Sequence, residues 1–323
     1  MNLADNHVDT LLQQLINGVM LGSIYALVAL GYTMVYGILR IINFAHGDIL
    51  MVGALTTLSG LRLLEQYAPA MPPLLALALS LLAAMTVCAL VAAAIERFAY
   101  RRLRHAPRLA PLISGIGVSL LLQTFAMLIW SRNPLMFPQI LPMDPIAVTA
   151  GDALHPPAVI TVTGLVTVAL ALAVMVALLL LVEHSRLGRA MRATAENPQV
   201  ASLMGVNPNR VITLTFAIGG VFAALAGVMM ASNYGNAGFS MGFLPGIKAF
   251  TAAILGGIGN LRGAMLGGLL LGIIESLGAG YLGELTNGAF GSNYQDVFAF
   301  MVLILVLVFR PSGLLGERLA NRV

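Results

Sequence analysis

The sequence predicts an all-α integral membrane protein: one domain over residues 1–323, built as a polytopic bundle of about eight to ten transmembrane helices. Three observations carry this. Hydrophobic residues make up 59% of the chain and charged residues 9%, whereas soluble domains carry about 25% charged residues. The mean hydropathy is +0.92. Nine apolar runs approach or exceed the length that crosses a bilayer, about 20 residues.

The runs are taken in order. The first, 10–34, follows a segment from Met1 to Asp9 that has no Lys or Arg. That segment is a poor start for a signal peptide, so the run is read as a retained transmembrane helix. Residues 32–46 leave room for an extra break or a re-entrant segment before the second run, 44–64. The third, 72–95, contains Cys88, the lone cysteine, which reads as a small buried hydrophobe. The fourth is 110–130. After it, the proline-rich stretch 131–156 suits a cap outside the bilayer. The fifth run is 157–182, and the polar stretch 184–210 reads as a loop. The sixth to ninth runs are 211–232, 244–261, 264–283 and 295–309, with a very short turn at Arg262.

Basic residues orient the chain. Arg40, Arg97, Arg101, Arg102, Arg104, Arg108, Arg186, Arg189, Arg192, Arg210, Arg262, Arg310, Arg318 and Arg322 fall on one side under nine spans. Arg62, Arg132 and Lys248 fall on or near the other. The arginine-rich side is expected to be cytoplasmic, with the C-terminus there and the N-terminus outside. An extra break near residue 35 would move only the N-terminus. No basic patch is interleaved with aromatics, so membrane lipid is the expected surroundings and nucleic acid is not an expected partner.

The polar stretch "AENPQVASLMGVNPNR" interrupts this pattern. Asn197 before Pro198 is a helix start, since Asn caps N-termini and Pro suits the first helical position. "PQVASLM" supplies about two turns, and Gly205 can close them in a left-handed cap. Asn207-Pro208 then starts the sixth run. Val200, Leu203 and Met204 share one face of the short helix. Two readings stand: a docking surface for another protein, or a loop helix lying on the membrane interface.

"RATAENPQVASLMGVN" resembles the cytoplasmic coupling loop of ATP-binding-cassette importer permeases of the branched-chain amino acid type. "GYTMVYGILRIINFAHGDILMVGA", from Gly31 to Ala54, is similar to the N-terminal signature of the LivH-type subunit. "GIKAFTAAILGGIGNLRGAMLGG" and "FRPSGLLGE" agree, in order, further along. The resemblance implies a type II-like importer permease architecture in the inner membrane. It implies two ATPase subunits, a second related permease of LivM type and a periplasmic substrate-binding protein. The stretch 184–210 becomes a loop carrying a coupling helix. Arg192, Ala195, Glu196, Asn197, Pro198, Val200, Ala201, Leu203, Met204 and Gly205 become the candidates for contact with an ATPase. The resemblance implies import of branched-chain amino acids; related permeases carry urea and short amides, other amino acids or sugars, and these stand as the alternative cargo.

Other residues bear on chemistry. The phosphate-cradling pattern G-x-x-x-x-G-K-[ST] is absent, and the only lysine is Lys248 in "GFLPGIK". No ATP or other cofactor is therefore expected on this chain, and ATP hydrolysis falls to partners. Paired carboxylates, G-x-S-x-G and metal-ligand spacings are missing as well, which argues against a membrane enzyme; His7, His46, His105, His155 and His184 are dispersed. Asn43, His46 and Asp48 in "INFAHGD" read either as a helix start or as part of a translocation path, because ionisable groups inside spans mark function. Glu275 is an acid deep in a span; Lys248 or Arg262, water or a proton would offset its burial, and Glu275 and Lys248 read either as a structural salt link or as part of the translocation path. Lys248 alternatively snorkels to the outer rim. Gly18, Gly22, Gly259, Gly263 and Gly267 have small-xxx-small spacing and are expected in close helix packing. A secondary transporter is the rival class, but it predicts more midplane charge than Glu275 supplies and gives no reason for the doubly capped helix.

Overall fold

The computed structural model describes residues 3–104, 106–107, 109–149, 157–286 and 292–316. Expectations placed on His105, Arg108, His155, Glu317, Arg318, Arg322 and the side chain of His7 lie outside the described residues.

Each of the nine apolar runs contains a helix. In chain order the long helices are α1 (Leu3–Leu39), α2 (His46–Tyr67), α3 (Pro73–Ile95), α4 (Leu109–Ile129) and α5 (Val162–His184). Then come α6 (Arg186–Glu196), α7 (Pro198–Leu203), α8 (Pro208–Tyr234), α9 (Phe243–Gly256), α10 (Leu261–Leu285) and α11 (Gln295–Phe309). Seven are long and apolar enough to cross a membrane; α9 and α11 are shorter. With 14 residues and 15 residues, they span only about 21 and 22 Å of a hydrocarbon core about 30 Å thick. The chain is a multi-pass membrane protein.

The short helices make sense because three helices begin inside the bundle. His46, the first residue of α2, lies against Gly31 of α1. Gly31 is eight residues before the end of α1, so α2 starts about 12 Å inside that end. Residues 40–45 therefore re-enter, after a sharp turn at Arg40 (φ 53°). Gly242, just before α9, packs backbone to backbone on Gly47 of α2, so α9 also starts inside. From there α9 runs back to the arginine-rich end, where Leu255 and Gly256 accept hydrogen bonds from Leu314 and Leu315 of the tail. Asp296 at the start of α11 reaches Lys248 on α9, so α11 too begins at depth. The sequence predicts residues 244–261 as one span; residues 257–260 instead form the turn between α9 and α10, and Leu261 begins α10.

Two short antiparallel pairings close the opposite end. Leu135–Met136 pairs with Asn236–Ala237, and Pro145–Ala147 pairs with Val159–Thr161. The stretch 131–149 thus caps that end, as its prolines suggested. Leu82 and Leu90 on α3, Leu120 and Leu128 on α4, and Val176 and Leu180 on α5 face outward, which suits hydrocarbon.

Glycines allow a close approach between α1 and α10. A Cβ on Gly272 would sit 2.2 Å from the nitrogen of Gly22, and one on Gly18 would sit 2.6 Å from Cα of Ile273. Gly263 and Gly267 pack on α9 in the same way, with Cβ positions 2.3 Å from the carbonyl oxygen of Gly256 and 2.1 Å from that of Ala252. Gly259 departs from the expectation. It has φ +100° and open space around its Cβ position, so it is a turn glycine between α9 and α10. Its spacing from Gly263 is a coincidence, because the two residues do not share a helix. The small residues serve packing within this chain, since lipid supplies no hydrophobic drive between helices.

Candidate functional site

The polar interruption folds as its caps dictate. Asn197 Oδ1 accepts hydrogen bonds from the amides of Gln199 (3.0 Å) and Val200 (3.1 Å). At the other end the Gly205 amide donates to Ser202 and the Val206 amide to Ala201. With Gly205 at φ +82°, this is the two-bond Schellman closure. Asn207 then caps α8 by accepting from the Arg210 amide. Ala201 turns inward, while Val200, Leu203 and Met204 are 54%, 84% and 81% exposed. Helix α7 is a rigid, apolar-faced knob at the arginine-rich end.

Before it stands α6, in a stretch that the sequence predicts as loop. Its charged residues hid it from a search for apolar runs. Ser185 caps it, and Gly188, Met191 and Thr194 form its buried face. Arg192 and Glu196 are on its exposed face, and Ala195 is half-buried. Arg192 turns back to the end of α5, donating to the Val182 carbonyl and, at 3.4 Å, to that of Glu183. Arg262, placed by the sequence in a turn, lies in the first turn of α10 and pairs with Glu183 at 2.6 Å. The side chains of Arg192 and Arg262 thus tie α6 and α10 to the end of α5.

Asn43, His46 and Asp48 form a second group where α2 begins. All three are buried. Neither Asn43 nor Asp48 is the cap: residue Ala45 holds that position without a side-chain bond. Asn43 Oδ1 instead accepts from the Ala45 amide just before the helix. The His46 ring is buried and meets Tyr32 edge-on at 4.9 Å. Asp48 Oδ1 accepts from Gln123 Nε2 of α4 at 3.0 Å, and its place in the first turn suits the positive end of a helix.

Lys248 and Glu275 form a third group. Lys248 Nζ lies 2.7 Å from Glu275 and 2.6 Å from Asp296. Tyr25 Oη donates to Glu275 at 3.0 Å. Lys248 is 8% exposed and points at acids, so the outer-rim alternative is set aside. The second and third groups do not merge. Tyr25 and Tyr32, two turns apart on α1, hold them separately. Sequence reasoning missed both tyrosines, Gln123 and Asp296; a Tyr in an apolar run gives no sign of which distant acid its hydroxyl meets.

Many of the helices carry buried charged or polar groups, and one end presents an exposed apolar knob: this arrangement defines a polytopic helical membrane protein. A family model for the permease component of branched-chain amino acid transport systems matches residues 14–307. The chain belongs to that family. It is 45% identical over 312 residues to the high-affinity branched-chain amino acid transport system permease protein BraD of Pseudomonas aeruginosa, covering 97% of this chain and 98% of that protein. It is 42% identical over 312 residues to LivH of Escherichia coli K12, a permease protein of the same description, covering 97% of each.

Proposed function

We propose that this chain is a transmembrane subunit of an ATP-binding-cassette importer for branched-chain amino acids. Separate ATPase subunits dock on α7 and drive it, and ATP is bound by them. A second, related permease chain completes the path, and a periplasmic binding protein delivers cargo. The arginine-rich end and the C-terminus face the cytoplasm, and the membrane is the bacterial inner membrane. The observation that carries the reading is α7: a two-turn helix locked by caps at both ends, with Leu203 and Met204 exposed at the end where positive charge collects. Near-full-length likeness to BraD and LivH supports the cargo.

Cells expressing the whole transporter are expected to take up labelled leucine. Excess isoleucine or valine should reduce that uptake severalfold, and urea or a short amide should not. Competition by urea or amide alone would overturn the cargo assignment.

A further inference from the structure

At the arginine-rich end α3 runs on into a π-helical turn, Glu96–Tyr100. Such turns cost hydrogen-bond geometry and recur at functional sites. The buried positions of α3 are Leu77, Ser80, Ala84, Cys88, Ala92 and Ile95, and from Ala92 a step of four leads on to the buried Glu96 and Tyr100. In a straight α-helix each such step rotates by about 40°. The wider turn takes up part of that drift, and Glu96 and Tyr100 both stay inward.

Glu96 is fully buried. Its carboxylate accepts from Arg101 at 3.2 and 2.7 Å, from the Thr213 hydroxyl at 2.7 Å, and from Arg104. Arg104 also donates to Asn209 Oδ1 at 2.7 Å, and Arg101 to Thr213 at 2.8 Å. Asn209 and Thr213 belong to the first turns of α8, directly after the caps that end α7. The clamp therefore fastens the start of α8 to the π turn.

Four residues on, Tyr100 continues the connection. Its ring lies against Phe216 of α8, with centroids 5.7 Å apart. Its hydroxyl donates to Asn43 Oδ1 at 3.1 Å, the same oxygen that organises the start of α2. Gly115 of α4 makes room: a Cβ there would sit 2.4 Å from the Tyr100 oxygen. Low dielectric strengthens each bond and makes each broken one costly. Thus α7, the start of α8, the Glu96 clamp, Tyr100 and Asn43 are in unbroken contact.

We propose that Glu96 and Tyr100 are positioning residues that carry the movement of α7 to the start of α2, where Asn43, His46 and Asp48 lie. This rests on the proposed role of α7 as the receiver of ATPase motion. Contact alone does not establish coupling, so the test measures coupling. The complete transporter is reconstituted, and uptake and ATP hydrolysis are measured together. Tyr100→Phe removes one hydroxyl and leaves the ring on Phe216. It should leave assembly intact and ATP hydrolysis within about twofold, and lower leucine moved per ATP severalfold. Asn43→Ala should add little in the Tyr100→Phe background, because both cut one link. Glu96→Gln should uncouple similarly; if it fails to assemble, Tyr100→Phe decides. Unchanged uptake per ATP in Tyr100→Phe, or effects of Tyr100→Phe and Asn43→Ala that simply multiply, would overturn the relay alone. Uptake without ATP by the unaltered complex would overturn the role of α7 and the relay with it.

Discussion

Replacing Gly205 with valine is expected to cut ATP-driven uptake about tenfold or more while the protein stays in the membrane. Gly205 has φ +82°, and a Cβ there would meet nothing within 4 Å. Space is thus not the obstacle; backbone conformation is. L-residues pay roughly 1–2 kcal/mol in this region, and β-branched ones are genuine outliers there. Valine would open the closure made by the Gly205 and Val206 amides and let α7 fray, since a helix of six residues is not stable alone. Asparagine tolerates the left-handed region, so Gly205→Asn should keep most of the uptake. The check is transport against protein recovered from membranes. Normal uptake by the valine variant would remove α7 from the coupling path.

The second large effect concerns the buried charges. Lys248→Met leaves Glu275 in the bilayer without its cation. Breaking one partner of a buried pair costs about 3–5 kcal/mol, whereas replacing both with apolar groups is often neutral. The side chains of Lys248 and Glu275 are 11% and 4% exposed, so solvent screens them little. Lys248→Met should therefore lower the thermal unfolding midpoint in detergent sharply, and Lys248→Met with Glu275→Met should recover most of it. Asp296, whose side chain is 36% exposed, can reach the margin in the double variant. An unchanged midpoint for Lys248→Met alone would show that the pair carries no stability.

What was legible in the sequence was what acts locally. Asn197, Gly205 and Asn207 work on amides within three or four residues, so their caps are written in the order of the chain. The nine apolar runs are likewise local sums. Two kinds of feature were not legible. Helix α6 is amphipathic and arginine-rich, so it passed as loop although Ser185 caps it. Long-range partnerships were hidden too: Glu96 meets Thr213 across 117 positions, and Tyr100 meets Asn43 across 57. Gly259 misled for the opposite reason. Its spacing from Gly263 and Gly267 implied a shared face, but a turn intervenes. The depth at which α2, α9 and α11 begin depends on which backbones touch, such as Gly47 with Gly242, and no single stretch records that.

The most direct measurement is leucine uptake by proteoliposomes holding this chain with its permease and ATPase partners. ATP inside and binding protein outside are each supplied or withheld. The expected result is uptake only when both are present. Uptake by this chain alone, indifferent to ATP, would contradict it and leave α7 an ordinary helix at the membrane surface.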